Sequence, residues 1–360
     1  MIAGIVIHGP EAIDTQFFDR ALSVIGKQFV VKRILMSGYT GIAAVIDAGL
    51  EDVIDINQHL VPSQAILALQ EVSDIIFLMN YGKNKESIMK FGELIFLRIK
   101  DKLSKPLIQV DNGVFIGWNS PLPKFLMDLA EKEGAIVIEM PEMTQKSCDR
   151  TWRLISGVIP GENVWINGIV VGKAISSHVA ISKDQNGRLI AEGIKLKQSG
   201  VERLGIYDIW TARVRSGVIR RTRSIPRCIG IEKRGYISIV DHQTEEAVYS
   251  SRNSRFVVTI GDDTSKTAGS ILYRFGIPII AITDGDEDGI SREELFYPGS
   301  IVIRVKPGHD DVIGERIKDI LFKGSKEIAT EISIEEMTKA IIEMSDGLIV
   351  EIKKYQQLFN

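Results

Sequence analysis

Residues 255–291, RFVVTIGDDTSKTAGSILYRFGIPIIAITDGDEDGIS, alternate apolar runs with acidic turns. Phe256, Val257, Val258 and Ile260 form one run, and Ile277, Ile279, Ile280, Ala281 and Ile282 form the other. Near-continuous β-branched runs bounded by Gly and Asp suit parallel strands buried on both faces. The segment between them reads as a helix of roughly two turns. Each run ends in carboxylates: Asp262 and Asp263 after the first, and Asp284, Asp286 and Asp288 after the second. These acids are expected together at the carboxyl edge of one sheet, where open α/β sheets bind ligands.

Working outward, Tyr236 to Val240 is a further strand-like run that ends in Asp241 and leads into a short helix-like piece carrying Glu245 and Glu246. Downstream, Ile301 to Val305 reads as a strand and 310–322 as a helix. Two amphipathic stretches, 333–344 and 348–358, read as C-terminal helices. They lack the Trp/Lys/Arg signature of an interfacial helix, so they are expected to dock on a domain, a second copy of the chain or a protein partner rather than on membrane.

The cluster Asp284-Gly285-Asp286-Glu287-Asp288-Gly289 is open to three readings. An EF-hand loop fits Asp284, Asp286, Asp288 and Gly289 but places Leu295 where the bidentate Glu belongs, and a strand rather than a helix enters it. A Mg²⁺ site at a sheet edge needs only one or two carboxylates, completed by water and substrate phosphate. Asx turns and helix caps would account for a single DxD. Several acids at adjacent strand ends repel one another, however, and call for a cation or a basic partner.

The run Asp241, then Ile260-Gly261-Asp262-Asp263, then Gly276-Ile277-Pro278-Ile279, then Asp284-Gly285-Asp286 resembles the Toprim domain as it occurs in topoisomerase VI A subunits and Spo11-like proteins. The resemblance covers residues 236–305. It implies a Toprim-like α/β domain in which Asp284 and Asp286 hold Mg²⁺, with Asp262 and Asp263 behind them as supporting or capping groups. Such enzymes place a Glu at the end of the first strand as general acid/base; here Asp241 stands there, with Glu245 close by as a substitute. No tyrosine-nucleophile domain is recognisable. Over most of the chain, SGYTGIAAVIDAGLEDVIDI and the 257–289 stretch also resemble an archaeal family defined as a domain of unknown function, which implies no activity.

The amino-terminal part, 1–150, alternates apolar runs (2–7, 29–36, 75–79, 107–110 and 136–138) with helix-like segments. That rhythm predicts a Rossmann-like parallel sheet of about five strands with helices on both faces. Ser37-Gly38-Tyr39-Thr40-Gly41 lies between a strand and a helix. A loop of this kind can offer N–H groups to an anion, so Ser37, Gly38, Thr40 and Gly41 are candidate cofactor-binding residues; the other reading is a tight turn. Gly82-Lys83 is not a Walker loop, because Phe77 and Asn84 stand at the required Gly and Ser/Thr positions. Asp111, Asn112, Trp118 and Asn119 follow another run and either face the same cleft or form a structural loop.

Residues 151–235 change texture. Asn-Gly at 167–168 and 186–187 signals hairpins in a β-rich segment, within which His178 reads as a buried core histidine. The segment ends in a basic cluster that includes Arg213, Arg215, Arg220, Arg221, Arg223 and Arg227. Arginines so placed suit phosphate or nucleic-acid contact, with Arg220, Arg221 and Arg223 at the centre; a solvated strand face is the competing reading.

A net charge of −3 over 360 residues argues against wholesale coating of nucleic acid, so any polyanion site must be local. Two cysteines in no metal or disulfide pattern fit a reducing cytosol, and the lack of a long apolar run or signal-like amino terminus favours a cytoplasmic protein. The expectation is a Mg²⁺-dependent phosphate-handling protein acting on or binding a nucleotide or nucleic acid. The rival expectation is a non-catalytic nucleotide or small-ligand sensor, or an assembly subunit.

Overall fold

The computed structural model describes residues 1–58, 60–141, 151–217, 226–230, 232–241, 245–285 and 295–356, with Glu245 and Glu246 described by backbone alone. The chain is α/β and divides into two compact units, Met1–Arg221 and Thr222–Asn360.

The first unit opens with β1 (Ile2–His8), α1 (Glu11–Asp14), α2 (Phe17–Ile25), β2 (Val30–Ser37), α3 (Tyr39–Ala48), α4 (Pro62–Gln70), β3 (Ile75–Met79), α5 (Lys85–Ile99), β4 (Leu107–Asp111), β5 (Val114–Gly117), α6 (Lys124–Glu133) and β6 (Ile136–Glu139). The strands form one sheet in the order β2-β1-β3-β4-β5-β6. Strands β2, β1, β3 and β4 are mutually parallel, and all five residues of β3 are buried. The expectation of an all-parallel sheet fails at its far edge, because β5 runs antiparallel to β4 and carries β6 with it. The cause is local: Asn112-Gly113, with Gly113 at φ +69°, turns β4 directly back into β5.

One face of this sheet packs Val6, Leu35, Ile76, Leu78 and Ile116 against Ile66, Ile88, Ile95 and Ile99 of the overlying helices. Gly92 of α5 lies where a Cβ would stand 1.9 Å from Gln109 Oε1 and 2.4 Å from Trp118 Cζ2. Trp118 Nε1 donates to that same Gln109 oxygen at 3.1 Å, so neither side chain can yield freely. Gly92→Ala gains about 1 kcal/mol of helix propensity yet is expected to lose about 1–2 kcal/mol net through overpacking, read as an earlier midpoint in urea unfolding.

The rest of this unit is β7 (Arg153–Ile155), β8 (Asn163–Ile166), β9 (Ile169–Ala174), β10 (Val179–Lys183), β11 (Leu189–Glu192), β12 (Ile194–Leu196), α7 (Gln198–Arg203) and β13 (Val214–Gly217). Two antiparallel sheets, β11-β10-β7 and β12-β9-β8-β13, share a core that includes Ile155, Val164, Val171, Ile181 and Ile194. Asn167 and Gly168, at φ +50° and +88°, turn β8 into β9 as the Asn-Gly pair predicts. His178 is exposed rather than a core histidine, since it precedes β10 instead of pointing in from it.

The second unit contains β14 (Tyr236–Asp241), α8 (Glu245–Ser250), β15 (Val257–Ile260), α9 (Asp262–Tyr273), β16 (Ile279–Thr283), β17 (Ile301–Val305), α10 (Asp310–Arg316), β18 (Glu327–Ala329), α11 (Ile334–Met344) and β19 (Ile349–Lys354). Its sheet order is β18-β14-β15-β16-β17-β19, with the four central strands parallel and both edges antiparallel. At 12 residues α9 is longer than the two turns expected. Ser333 and Glu336 cap α11 reciprocally, fixing it as a helix. The second C-terminal helix expected over 348–358 is instead β19: the β-branched stretch Ile349-Val350 and Ile352 completes the open edge of β17. Beneath it, Ile280, Ile282, Ile301 and Ile303 meet Ile313, Ile317, Met337 and Ile341 on one face. Among the described residues no helix is long and apolar enough to cross a membrane.

Candidate functional site

The second unit brings four of the sequence-selected acids, Asp241, Asp262, Asp263 and Asp284, to the ends of three successive strands. Asp241 ends β14 opposite Ile260 of β15, and Ile260 in turn pairs with Ile282 of β16. Gly261, at φ +94°, lets the chain turn sharply from β15 into α9, placing Asp262 and Asp263 in the first helical turn. Asp262 Oδ2 accepts from the backbone N–H groups of Asp284 and Gly285, both at 3.3 Å. Asp284, 7 % exposed, accepts from Gly308 N–H at 2.7 Å. The two carboxylates thereby pin the β16 turn to α9 and the β17–α10 loop to the β16 turn. Thr259 and Ser265 hydroxyls, 2.8 Å apart, tie α9 to β15 beneath them.

Beside these acids lies a cavity of about 260 Å³ whose walls include Asp262, Lys266, Arg304, Glu351 and Lys353. Strand alternation explains it. In β17 the buried residues are Ile301, Ile303 and Val305, so Val302 and Arg304 point to the opposite face. Register then aligns Thr283 with Arg304, Arg304 with Glu351, and Val302 with Lys353. Helix α9 packs on β15 and β16 on this side, and the polar row of β17 and β19 lies beyond it. The lining carries three cations, Lys266, Arg304 and Lys353, against the carboxylates Asp262 and Glu351. A Cβ on Gly285, at φ +73°, would lie 2.5 Å from Arg304 Nε, so the guanidinium packs directly on the backbone that follows Asp284.

Sequence reasoning passed over Arg304, Lys266, Glu351 and Lys353. The IVIRV pattern does mark Arg304 as the polar face of a half-buried strand, but Glu351 and Lys353 were hidden by reading their strand as a helix. Glu245 opens α8, and only its backbone is described. Asp286, Asp288, Arg220, Arg221 and Arg223 lie outside the described residues. Among the described residues, no group of three or more His, Cys, Asp or Glu side chains is arranged to hold a metal ion.

The amino-terminal candidates sit at the carboxyl end of β2. Ser37 is fully buried and its Oγ has no hydrogen-bond partner. Gly38, at φ +95°, begins α3 without a side-chain cap. Gly41 is required by packing, since a Cβ there would fall 2.3 Å from Met36 Sδ. Thr40 lies in the same first turn. Of the residues grouped around Asp111, Asp111 itself is buried at this carboxyl edge, where Gly82 N–H and Asn112 N–H reach its Oδ1 at 2.6 and 2.8 Å. Trp118 and Asn119 lie at the opposite end, where Asn119 Oδ1 accepts from Leu107 N–H at 2.8 Å.

Fold and edge together define a two-unit α/β protein with a cation-lined cavity beside strand-end carboxylates. The chain belongs to the family described as an uncharacterized protein conserved in archaea, DUF2117, whose model matches residues 5–325. It is 38% identical over 331 residues to the uncharacterized protein MJ0065 of Methanocaldococcus jannaschii, a match covering 87% of this chain and 90% of that relative. No solved structure matches the chain.

Proposed function

We propose that the second unit binds a phosphate-bearing ligand, a nucleotide or a nucleic-acid end, in the cavity between Lys266, Arg304 and Lys353. The observation that carries this reading is the placement of those three cations around a cavity of about 260 Å³ that also meets Asp262, beside the strand-end Asp284. Arginine and lysine converging on one hollow suit a polyanion, and Arg304 can present a bidentate fork to phosphate oxygens. The order of acids along 236–305, similar to a Toprim domain, supports the same chemistry.

Mg²⁺ enters this proposal as a companion of the phosphate. It takes one or two carboxylates and completes its shell with water and phosphate oxygens. Asp284, together with Asp286, would hold it, and it would neutralise charge on the phosphate. On the Toprim-like reading Asp241, at the end of β14 with β15 between it and β16, would be the group that exchanges a proton with the ligand.

Equilibrium binding of ATP and of a short single-stranded oligonucleotide, with and without Mg²⁺, tests the reading. Arg304→Met is expected to weaken binding by roughly ten-fold, the loss of one charge-assisted contact. Asp284→Asn is expected to abolish the Mg²⁺-dependent increment alone. Unchanged affinity in Arg304→Met would sink the proposal.

A second reading, a sensor that binds without turnover, is favoured by one feature. Asp262 and Asp284 both accept backbone N–H groups, the pattern of acids that shape a loop. Binding that survives Asp241→Asn with no release of phosphate or cleaved strand in either form would select it.

A further inference from the structure

The sheet of the second unit ends in two unlike edges. On one side β18 is three residues long, Glu327–Ala329, too short to template another strand. On the other, β19 is six residues long and pairs, among the described residues, with β17 alone. Val350 and Ile352 are 58 % and 40 % exposed there, and Glu351, Lys353 and Lys354 are exposed with them. An edge of this length with apolar side chains in solvent is a ready template for a further strand.

The backbone shows which groups of that edge are open. Just past β19, Tyr355 N–H donates to the Ser300 carbonyl at 2.9 Å, and the Tyr355 carbonyl accepts from Gly299 N–H at 2.7 Å. Direction alternates residue by residue in an antiparallel pair, so Lys353 and Glu351 also turn their backbone groups to β17, while Ile352 and Lys354 turn theirs to the open side. If the same strand of two copies pairs antiparallel, Glu351 and Lys353 therefore fall in the non-hydrogen-bonded positions, where Cα atoms stand about 4.5 Å apart and side chains are closest. Three registers lie near the middle of the strand, and charge separates them. Centring on Glu351 sets two glutamates face to face, and centring on Lys353 sets two lysines face to face. Centring on Ile352 puts Glu351 of each copy opposite Lys353 of the partner subunit.

Glu351 is aligned with Arg304 of its own chain, so in this last register it lies between two cations. Lys353 also lies over the Tyr355 ring, 4.7 Å from its centroid. The register rests on the sign of the charge at that position and leaves such contacts in place. Edge lysines, like the bulge between Arg304 and Val305, also serve to keep strands apart. A guard of that kind works through one sign of charge, and here Glu351 interrupts it with the other, next to two exposed apolar residues. We propose that β19 is a homodimer interface, in which two copies pair this strand antiparallel about Ile352 and join their six-stranded sheets into one. Glu351 and Lys353 also wall the cavity, so the joined sheet carries its two cavities on one face, flanking the two-fold axis.

Sedimentation equilibrium of the full-length protein, without added ligand, tests this. The wild type is expected at twice the 40.0 kDa of the chain at micromolar concentration. Glu351→Lys and Lys353→Glu each make both cross-axis pairs repulsive and should weaken the dimer roughly ten-fold or more. Combining the two reversals sets opposite charges across the axis again and should recover the wild-type mass. All three variants alter exposed side chains only, and far-ultraviolet circular dichroism checks that each is folded. A wild type that stays monomeric overturns the proposal, as it would if the edge instead took a strand from another protein. So does a dimer that both single reversals leave intact, or one that the double reversal fails to restore.

Discussion

Replacing Asp111 by alanine is expected to destabilise the first unit by about 3–5 kcal/mol. The side chain is fully buried and accepts from Gly82 N–H at 2.6 Å, Asn112 N–H at 2.8 Å, Asn80 Nδ2 at 2.9 Å and Gln109 Nε2 at 3.0 Å. Burial pushes its carboxyl above the usual range, against the pull of these four donors. Alanine would leave the buried donors Gly82 N–H and Gln109 Nε2 without this acceptor, at about 1–3 kcal/mol each, and would weaken the half-buried Asn80 bond further. Asp111→Asn keeps the shape but turns an amide NH₂ toward N–H donors, so an intermediate loss is expected. The measurement is selective because all four tryptophans, Trp118, Trp152, Trp165 and Trp210, lie in the first unit. Their fluorescence in urea follows that unit, and an unshifted midpoint in Asp111→Ala would show that the donors find other partners.

How much of this was legible in the sequence depends on distance along the chain. Runs such as Ile75 to Met79 and Ile279 to Thr283 announce themselves as buried parallel strands because no position in them can face water. Asn-Gly at 167–168 fixes its hairpin from two residues. Asn112-Gly113 carried the same signal inside a βα rhythm that masked it, which is why β5 was not expected and β6 was expected to run with the other strands. β19 was misread because its polar residues have no local reason to choose strand over helix; the choice is made by the unpaired edge of β17. Sites assembled across strands were the least legible. Asp262 and Asp284 could be placed at one edge because their strands are successive and adjacent, whereas Ser37, His8, Asn80 and Asp111 become neighbours only once the order β2-β1-β3-β4 is known.

Acidification is expected to weaken the first unit through His8. Burial lowers its pKa from 6.5 to about 4, with the positive charge of Arg215 acting in the same direction and the Ser37 carbonyl opposing. The imidazole therefore stays neutral in the folded protein down to about pH 4, while in the unfolded chain it takes a proton near pH 6.5. Between these values the unfolded state binds more protons, so stability falls as pH falls from 6.5 toward 4 and this contribution then levels off. A full shift of that size would be about 3.4 kcal/mol, and the half-buried position of the residue reduces the expectation to about 2 kcal/mol. Urea unfolding followed by tryptophan fluorescence across this window gives the slope. His8→Asn retains a donor for the Ser37 carbonyl and cannot titrate, so its stability should be flatter than the wild type over the same range. Carboxylates elsewhere contribute equally to both proteins and cancel in the difference. Parallel slopes would mean that His8 is protonated in the folded state without cost.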